Sequence, residues 1–273
     1  MKTQIEKALA FRALHERDSA FIIPNPWDIG TARLLAHLGF EALATTSAGY
    51  AFSVGQRDNT IGRDQMMAHV AEIVSATELP VSADLENGFG DDSNTVAETI
   101  RLAAAAGLVG ASIEDATTRP SDPIYDHALA VERVRAAAVV ARALPFPFML
   151  TARAENYLVG RPDLDDTIKR LQAYQAAGAD VLYAPGLRTK KDIAAVVSSV
   201  KRPVNVIMGL EGAHLSLAEL SELGVKRVSV GSALSRAALG AFLRAAEEMR
   251  AHGTFRFAEQ AVSYQGVSAM FEV

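Results

Sequence analysis

An α/β fold of the (β/α)8 TIM-barrel class, with a helical extension at its C-terminus, is predicted by three features of this sequence. Apolar runs of strand length alternate with longer segments of helical period, the pattern of repeated βα units and a parallel sheet. Eight such units follow one another without a linker. The turn after the first run, "PNPWDIG", lacks the Gly-rich phosphate fingerprint that the rival open, doubly wound sheet would carry there. At 273 residues the chain is long for an ordinary domain but within the range of one barrel. We therefore read 1–273 as a single barrel domain and 232–273 as its helical extension.

The elements follow in order. "MKTQIEKALAFRALHERDSAF" has the pattern of an amphipathic helix and lacks the apolar centre of a signal peptide. The strand candidates are "FIIP" (21–24), "EALATT" (41–46), "LPVSADL" (79–85), "GASIED" (110–115), "FPFMLTAR" (146–153), "DVLYAP" (180–185), "RPVNVIM" (202–208) and "KRVSVG" (226–231). Between them lie Ala-rich helices such as "TVAETIRLAAAAG" and "DTIKRLQAYQAAGAD", several ending in Gly as a helix C-cap entering a strand does. After the eighth strand "SALSRAALGAFLRAAEEMRAHGTF" predicts a long helix. The tail "RFAEQAVSYQGVSAMFEV" is too apolar for a solvated end, so it is expected to pack on the barrel or on another subunit.

Composition excludes several classes of function. Hydrophobic residues make up 49% and charged residues 22%, as in ordinary soluble proteins. The apolar runs are short and flanked by charge, so no membrane partner is expected and the location read from the sequence is cytoplasmic. A net charge of −5, with no basic tail, leaves no footprint for nucleic acid. Zero cysteines remove disulfides, thiolate metal ligands and any thiol nucleophile or acid.

In a barrel of this class the site stands at the C-terminal ends of the strands. Here those ends are polar on four neighbouring strands: Thr45, Thr46 and Ser47; Asp84 and Glu86; Glu114 and Asp115; Arg153 and Glu155. Asp84 and Glu86, two residues apart, would point to one face of an extended segment, and Glu114 can join them. Three such carboxylates repel one another unless a cation lies between them. A hard divalent ion with oxygen ligands suits this, Mg²⁺ above all, with Mn²⁺ as the alternative. Gly88 and Gly90 in "NGFG" would let the backbone turn and approach a ligand, or the stretch is a turn that caps the next helix through Asp92 or Ser93. Arg153 suits a carboxylate or phosphonate through its planar fork, or else forms an internal salt bridge to Glu155, Glu114 or Asp115. "TTSAG" offers hydroxyls and backbone N–H groups to a carboxylate.

Taken together, "SADLENGFG", "ASIED", "LTARAEN" and "SVGQRD" resemble the isocitrate lyase and phosphoenolpyruvate mutase superfamily, from about residue 24 to about residue 231. The resemblance implies Asp84, Glu86 and Glu114 as a metal shell for Mg²⁺. It implies Arg153 on the far anionic end of the substrate, Thr46, Ser47 and Ala48 around the substrate carboxylate, and Asp58 on a gating segment. Asp58, Arg153 and Glu114 are thus the catalytic candidates. It also implies a homo-oligomer, a dimer or a tetramer, that exchanges a C-terminal helix between subunits, and a reaction that passes through an enolate.

The sequence departs from the superfamily it resembles on the loop after the fourth strand, "ATTRPSDPIYDHA". The lyase branch carries a Lys-Lys-Cys-Gly-His motif there, and the mutase and hydrolase branches carry Lys and Asn. This loop offers only Arg119 as a cation. Pro185 stands where the lyases place a Glu near the end of strand six. His127 and His214 are candidate proton carriers, each more readily an ordinary surface or helix-start residue. The leading expectation is Mg²⁺-dependent cleavage of a carbon-carbon bond in a 2-oxo or 2-hydroxy (di)carboxylic acid by a lyase or decarboxylase. The alternatives are carbon-phosphorus chemistry of the phosphonopyruvate hydrolase or phosphonomutase type, and a non-catalytic barrel that binds a 2-oxo acid.

Overall fold

Eight parallel strands run round one sheet in the order β1-β8-β7-β6-β5-β4-β3-β2 in the computed structural model, which describes residues 2–272. They are β1 (Phe21–Ile23), β2 (Leu43–Ala44), β3 (Val81–Asp84), β4 (Gly110–Glu114), β5 (Met149–Arg153), β6 (Val181–Tyr183), β7 (Val204–Ile207) and β8 (Arg227–Ser229). Each falls inside the apolar run expected for it. β1 and β2 share no ladder, yet the Ala44 N–H donates to the Pro24 carbonyl at 3.1 Å and Asn25 Nδ2 donates to the Thr45 carbonyl at 3.0 Å. Asn25 Oδ1 in turn accepts from the N–H groups of Val230 and Gly231. One buried amide therefore ties together the upper ends of β1, β2 and β8, and the sheet closes into the expected barrel.

The helices that wrap it include α2 (Ile29–His37), α3 (Ser47–Ser53), α4 (Arg63–Ser75), α5 (Ser93–Ala105), α6 (His127–Ala143), α7 (Leu164–Ala177), α8 (Lys190–Ser199) and α9 (Leu217–Glu222). Their starts follow the side chains: Asp28, Asp92, Asp163 and Thr189 each accept a backbone N–H from the first turn of the helix they precede. Alanines such as Ala103 of α5 and Ala137 of α6 are fully buried, and their lack of bulk lets these two helices pack closely.

Beneath the barrel lies α1 (Gln4–Glu16), started by a capping box in which Thr3 and Glu6 bond each other's backbone N–H groups. Its apolar face, with Ala8, Phe11 and Leu14, packs against Phe21, Ile23, Val109, Met149 and Val181 at the strands' lower ends. This explains the amphipathic pattern of the N-terminus: the helix is a plug. Burying Phe11 completely contributes about 2 to 3 kcal/mol.

Past β8 come α10 (Ala233–His252), a short 3-10 helix (Arg256–Gln260) and α11 (Tyr264–Ala269). Ser235 is the one buried residue of α10, whereas Phe242 and Leu243 are 67% and 63% exposed. The end of the tail returns to the barrel, where the Phe271 ring reaches Gly30 at the start of α2. Among the described residues no helix is long and apolar enough to cross a membrane.

Candidate active site

A cavity of about 550 Å³ opens at the C-terminal ends of the strands. The eight residues assigned to metal, substrate or catalysis through the resemblance all line it: Thr46, Ser47, Ala48, Asp58, Asp84, Glu86, Glu114 and Arg153. The strand pattern located Asp84, Glu114 and Arg153, because a parallel barrel delivers every strand's last residues to one rim, and Asp58 came from the resemblance.

Arg153 sits at the centre. Its Nη1 donates to Asp84 Oδ1 at 2.8 Å, its Nε to Glu155 Oε1 at 2.9 Å, and its Nη2 lies 3.1 Å from Glu114 Oε2. Burial works against this charge, but Glu114, Glu155 and Asp84 more than offset it and raise the pKa of Arg153 well above the usual value. The internal salt bridge weighed for Arg153 therefore forms, with Asp84 as an additional partner. Asp115 does not take part. It turns outward, where its carboxylate accepts from Arg170 Nη1, the Tyr174 hydroxyl and the Glu155 N–H, and so holds the chain that carries Glu155.

With the guanidinium between Asp84 and Glu114, these two acids and Glu86 do not converge on a point. Among the described residues no group of three His, Cys, Asp or Glu is placed to hold a metal ion. The donor set nevertheless fits a hard cation. Glu86 Oε1 is buried without a hydrogen-bond partner, and burial together with Asp84 and Asp58 pushes the Glu86 carboxyl up to about 8. Burial likewise raises the pKa of Glu114 and Glu155, and burial and Asp84 raise that of Asp58. A pocket that holds its carboxyls this far above their ordinary range is short of positive charge. The oxygens of Asp84, Glu86 and Glu114 are the ones that would hold a divalent ion.

Glu86 reaches the cavity differently from the way its spacing suggested. β3 ends at Asp84, and Glu86 adopts a left-handed backbone with φ 50°. Its side chain enters through a turn, not by strand alternation. A non-glycine residue in this region is strained, and such strain persists where the surroundings hold it. Here the Glu86 carbonyl accepts from the Glu114 N–H at 3.0 Å. Of the glycines that follow, Gly88 takes the left-handed turn expected of it, with φ 79°, and both sit close against α5. A Cβ on Gly88 would crowd Val96, and one on Gly90 would stand 2.7 Å from Thr95 Cγ2. Asp92 caps α5, accepting the Thr95 N–H at 3.2 Å.

The "TTSAG" turn already holds a carboxylate, that of Asp84. Ser47 Oγ lies 3.1 Å from both Asp84 Oδ2 and Asp58 Oδ1, and the Ser47 N–H points at Asp84 Oδ2 from 3.4 Å. Thr46 caps α3 by accepting the Gly49 N–H, so its hydroxyl oxygen is engaged. Asp58 joins the site through Ser47.

The loop after β4 folds over the mouth, pinned by an antiparallel bridge between Ala116 and Ile124. Arg119 lines the cavity but pairs at 2.6 Å with Asp91, which also accepts from the Tyr125 hydroxyl at 2.6 Å. His127 stands at the start of α6 and His214 is exposed, and neither lines the cavity. Sequence reasoning passed over Tyr183, Asn205, Arg227 and Ser229, which also line it. The signal for Arg227 was a basic residue inside the strand run "KRVSVG", easily taken for a solvated strand start.

Known proteins share this fold. Over 98% of this chain and 97% of its own, a candidate lyase/mutase from Burkholderia cenocepacia J2315 superposes with a TM-score of 0.97 at 68% identity. A candidate phosphonomutase from the same organism gives 0.83 at 35% identity over 90% of this chain and 99% of its own. The oxaloacetate decarboxylase of Pseudomonas savastanoi pv. phaseolicola is 29% identical, covering 88% of this chain and 84% of its own. The 2,3-dimethylmalate lyase of Eubacterium barkeri is 28% identical, covering 80% of this chain and 77% of its own. The model of the phosphoenolpyruvate phosphomutase family matches residues 11–250, and the chain belongs to that family, within the phosphoenolpyruvate mutase and isocitrate lyase superfamily.

Proposed function

We propose that this protein is a Mg²⁺-dependent enzyme that cleaves a carbon-carbon bond in a 2-oxo or 2-hydroxy (di)carboxylic acid through an enolate. The observation that carries the proposal is the cavity in which Asp84, Glu86 and Glu114 gather, with the buried fork of Arg153 paired to Asp84 and Glu114. The lyase and decarboxylase relatives support the same bond type. When bound, a divalent cation supplies Lewis acidity to the carboxylate and 2-oxo oxygens of the substrate. Arg153 exchanges its internal acids for an anionic group of the substrate at the mouth, a bidentate pairing that orients the acid as well as binding it. Ser47, whose N–H and hydroxyl face Asp84 and whose hydroxyl also faces Asp58, would turn them to a substrate carboxylate in place of these acids. The loop from Ala116 to Asp126 lines the mouth with Thr118, Arg119, Pro120 and Pro123, and water displaced there on substrate binding would strengthen the charge interactions within.

A second reading, carbon-phosphorus chemistry, is favoured by the phosphonomutase neighbour. Against it stands the loop, where Arg119 is already paired with Asp91. Incubation with Mg²⁺ and a panel of 2-oxo and 2-hydroxy dicarboxylates, with products read by mass spectrometry, tests the leading proposal. Shortened 2-oxo acids are expected. Phosphate released from phosphonopyruvate, with no diacid cleaved, would favour the second reading, and tight Mg²⁺-dependent binding without turnover would favour a non-catalytic sensor. We also infer a cytoplasmic homo-oligomer in which a second copy covers Phe242 and Leu243 of α10.

A further inference from the structure

Below the acid cluster the barrel departs from the branched apolar layers that usually fill this architecture. Ser82, Ser112, Asn205 and Ser229 line the lower part of the same cavity, and Thr151 lies buried beside them. Among them stands Arg227, only 5% exposed. Its Nε donates to Asn205 Oδ1 at 2.8 Å, its Nη2 donates to Thr151 Oγ1 at 2.9 Å, and its Nη1 lies 3.4 Å from His15 Nε2. The other imidazole nitrogen, His15 Nδ1, lies 2.8 Å from the Phe11 carbonyl, so the proton belongs on Nδ1 and Nε2 is left to accept.

Every one of these partners is neutral. A guanidinium has five N–H groups, so one hydrogen on each Nη of Arg227 remains without a partner among the described residues. The contrast with the other arginines of the interior is direct: Arg170, also buried, pairs with Asp115 and Asp166. Arg153 is ringed by three acids. Arg133 donates to the carbonyls of Asn87, Gly90 and Asp91. Arg227 alone of the four has neither an acid nor a backbone carbonyl, although burial lowers its pKa only to about 10 and it stays charged at neutral pH. A buried charge without a counterion is costly, which points to an anion supplied from outside. The well is closed from below, because Phe11 of α1 lies against Gly110 at its floor. Entry is therefore from the mouth.

We infer that Arg227, with Asn205, Thr151 and Ser229, forms a second anion subsite that takes the distal carboxylate of a dicarboxylate whose other end is held at the mouth. This rests on the reading of the mouth as a 2-oxo or 2-hydroxy acid site. Thr151 precedes Arg153 by two residues on β5, about 7 Å along the strand, so Arg227 marks a level one side-chain layer below Arg153. That is the reach of a diacid with two or three carbons between its carboxylates. Asn205 is oriented to assist: Arg227 occupies its Oδ1, and its Nδ2 turns toward Ser229 Oγ at 3.0 Å on the cavity wall.

Isothermal titration calorimetry in Mg²⁺ tests this with 2-oxoglutarate and the chain-matched monocarboxylate 2-oxopentanoate. The wild type is expected to prefer the diacid by about tenfold, the effect of one charge-assisted hydrogen-bonded pair. In Arg227→Gln, shown folded by its circular dichroism melt, the preference should collapse toward one, and Arg227→Lys should keep part of it. Equal affinity for the two ligands in the wild type, or an undiminished preference in folded Arg227→Gln, overturns the subsite alone. Should Arg227→Gln fail to fold, the wild-type pair still decides. Failure of both ligands to bind the wild type sinks the subsite together with the reading of the mouth.

Discussion

Arg153 is held by Asp84, Glu114 and Glu155, and its removal would leave three buried acids to repel one another. Breaking a buried ion-pair cluster from one side costs about 3 to 5 kcal/mol. In EDTA, Arg153→Gln should therefore melt several degrees below the wild type, and Mg²⁺ should restore more of the loss in the variant than it adds to the wild type. Equal Mg²⁺ shifts in the two proteins, by differential scanning fluorimetry, would argue against an ion among these acids. A second residue makes a pH prediction. Burial and the nearby Arg227 push His15 down to about 3, far below its unfolded value near 6.5. Between those values the unfolded chain binds the proton and the folded one does not, so this contribution to stability is present above pH 6.5 and is lost as the pH falls. The loss reaches about 2 kcal/mol by pH 5. His15→Gln should accordingly lose less melting temperature than the wild type between pH 7 and pH 5, and parallel curves would contradict the assignment. Burial pushes His69 to about 4, and it acts in the same sense in both proteins.

At the scale of elements, most of what positions the site was legible in the sequence. Apolar runs flanked by helical segments placed all eight strands, and parallel connectivity then put Asp84, Glu114 and Arg153 on one rim. Two local features were not legible. The spacing of Asp84 and Glu86 is the same whether the segment is extended or turns left-handed at Glu86, and only the carbonyl pairing with the Glu114 N–H shows which occurs. The roles of Gly88 and Gly90 depend on where Val96 and Thr95 of α5 come to lie, which is tertiary information. The C-terminal helix carries its own prediction. Phe242 and Leu243 are large, adjacent and mostly exposed on α10, a pattern that marks an interaction face. Phe242→Asp combined with Leu243→Asp should shift the sedimentation coefficient from an oligomer to a monomer. An unchanged value would place the subunit interface elsewhere.

For the whole molecule, barrel closure decides the chemistry. Winding the sheet until Ala44 bonds Pro24 brings Arg227 of β8 across the interior to Thr151 of β5, a proximity that no local pattern announces. The same closure gathers Asp58, Asp84, Glu86, Glu114 and Glu155 into one cavity with Arg153 at its centre. Such an acid-rich pocket suits a divalent ion and an anionic substrate held together, and the proposed reaction depends on that pairing. Diacid cleavage should be followed by mass spectrometry after EDTA treatment and through a Mg²⁺ titration, for wild type and Asp84→Ala side by side. EDTA is expected to abolish wild-type turnover, Mg²⁺ to restore it, and Asp84→Ala to stay at background throughout. Turnover that survives EDTA, or full activity in Asp84→Ala, would refute the pairing of ion and substrate in this cavity.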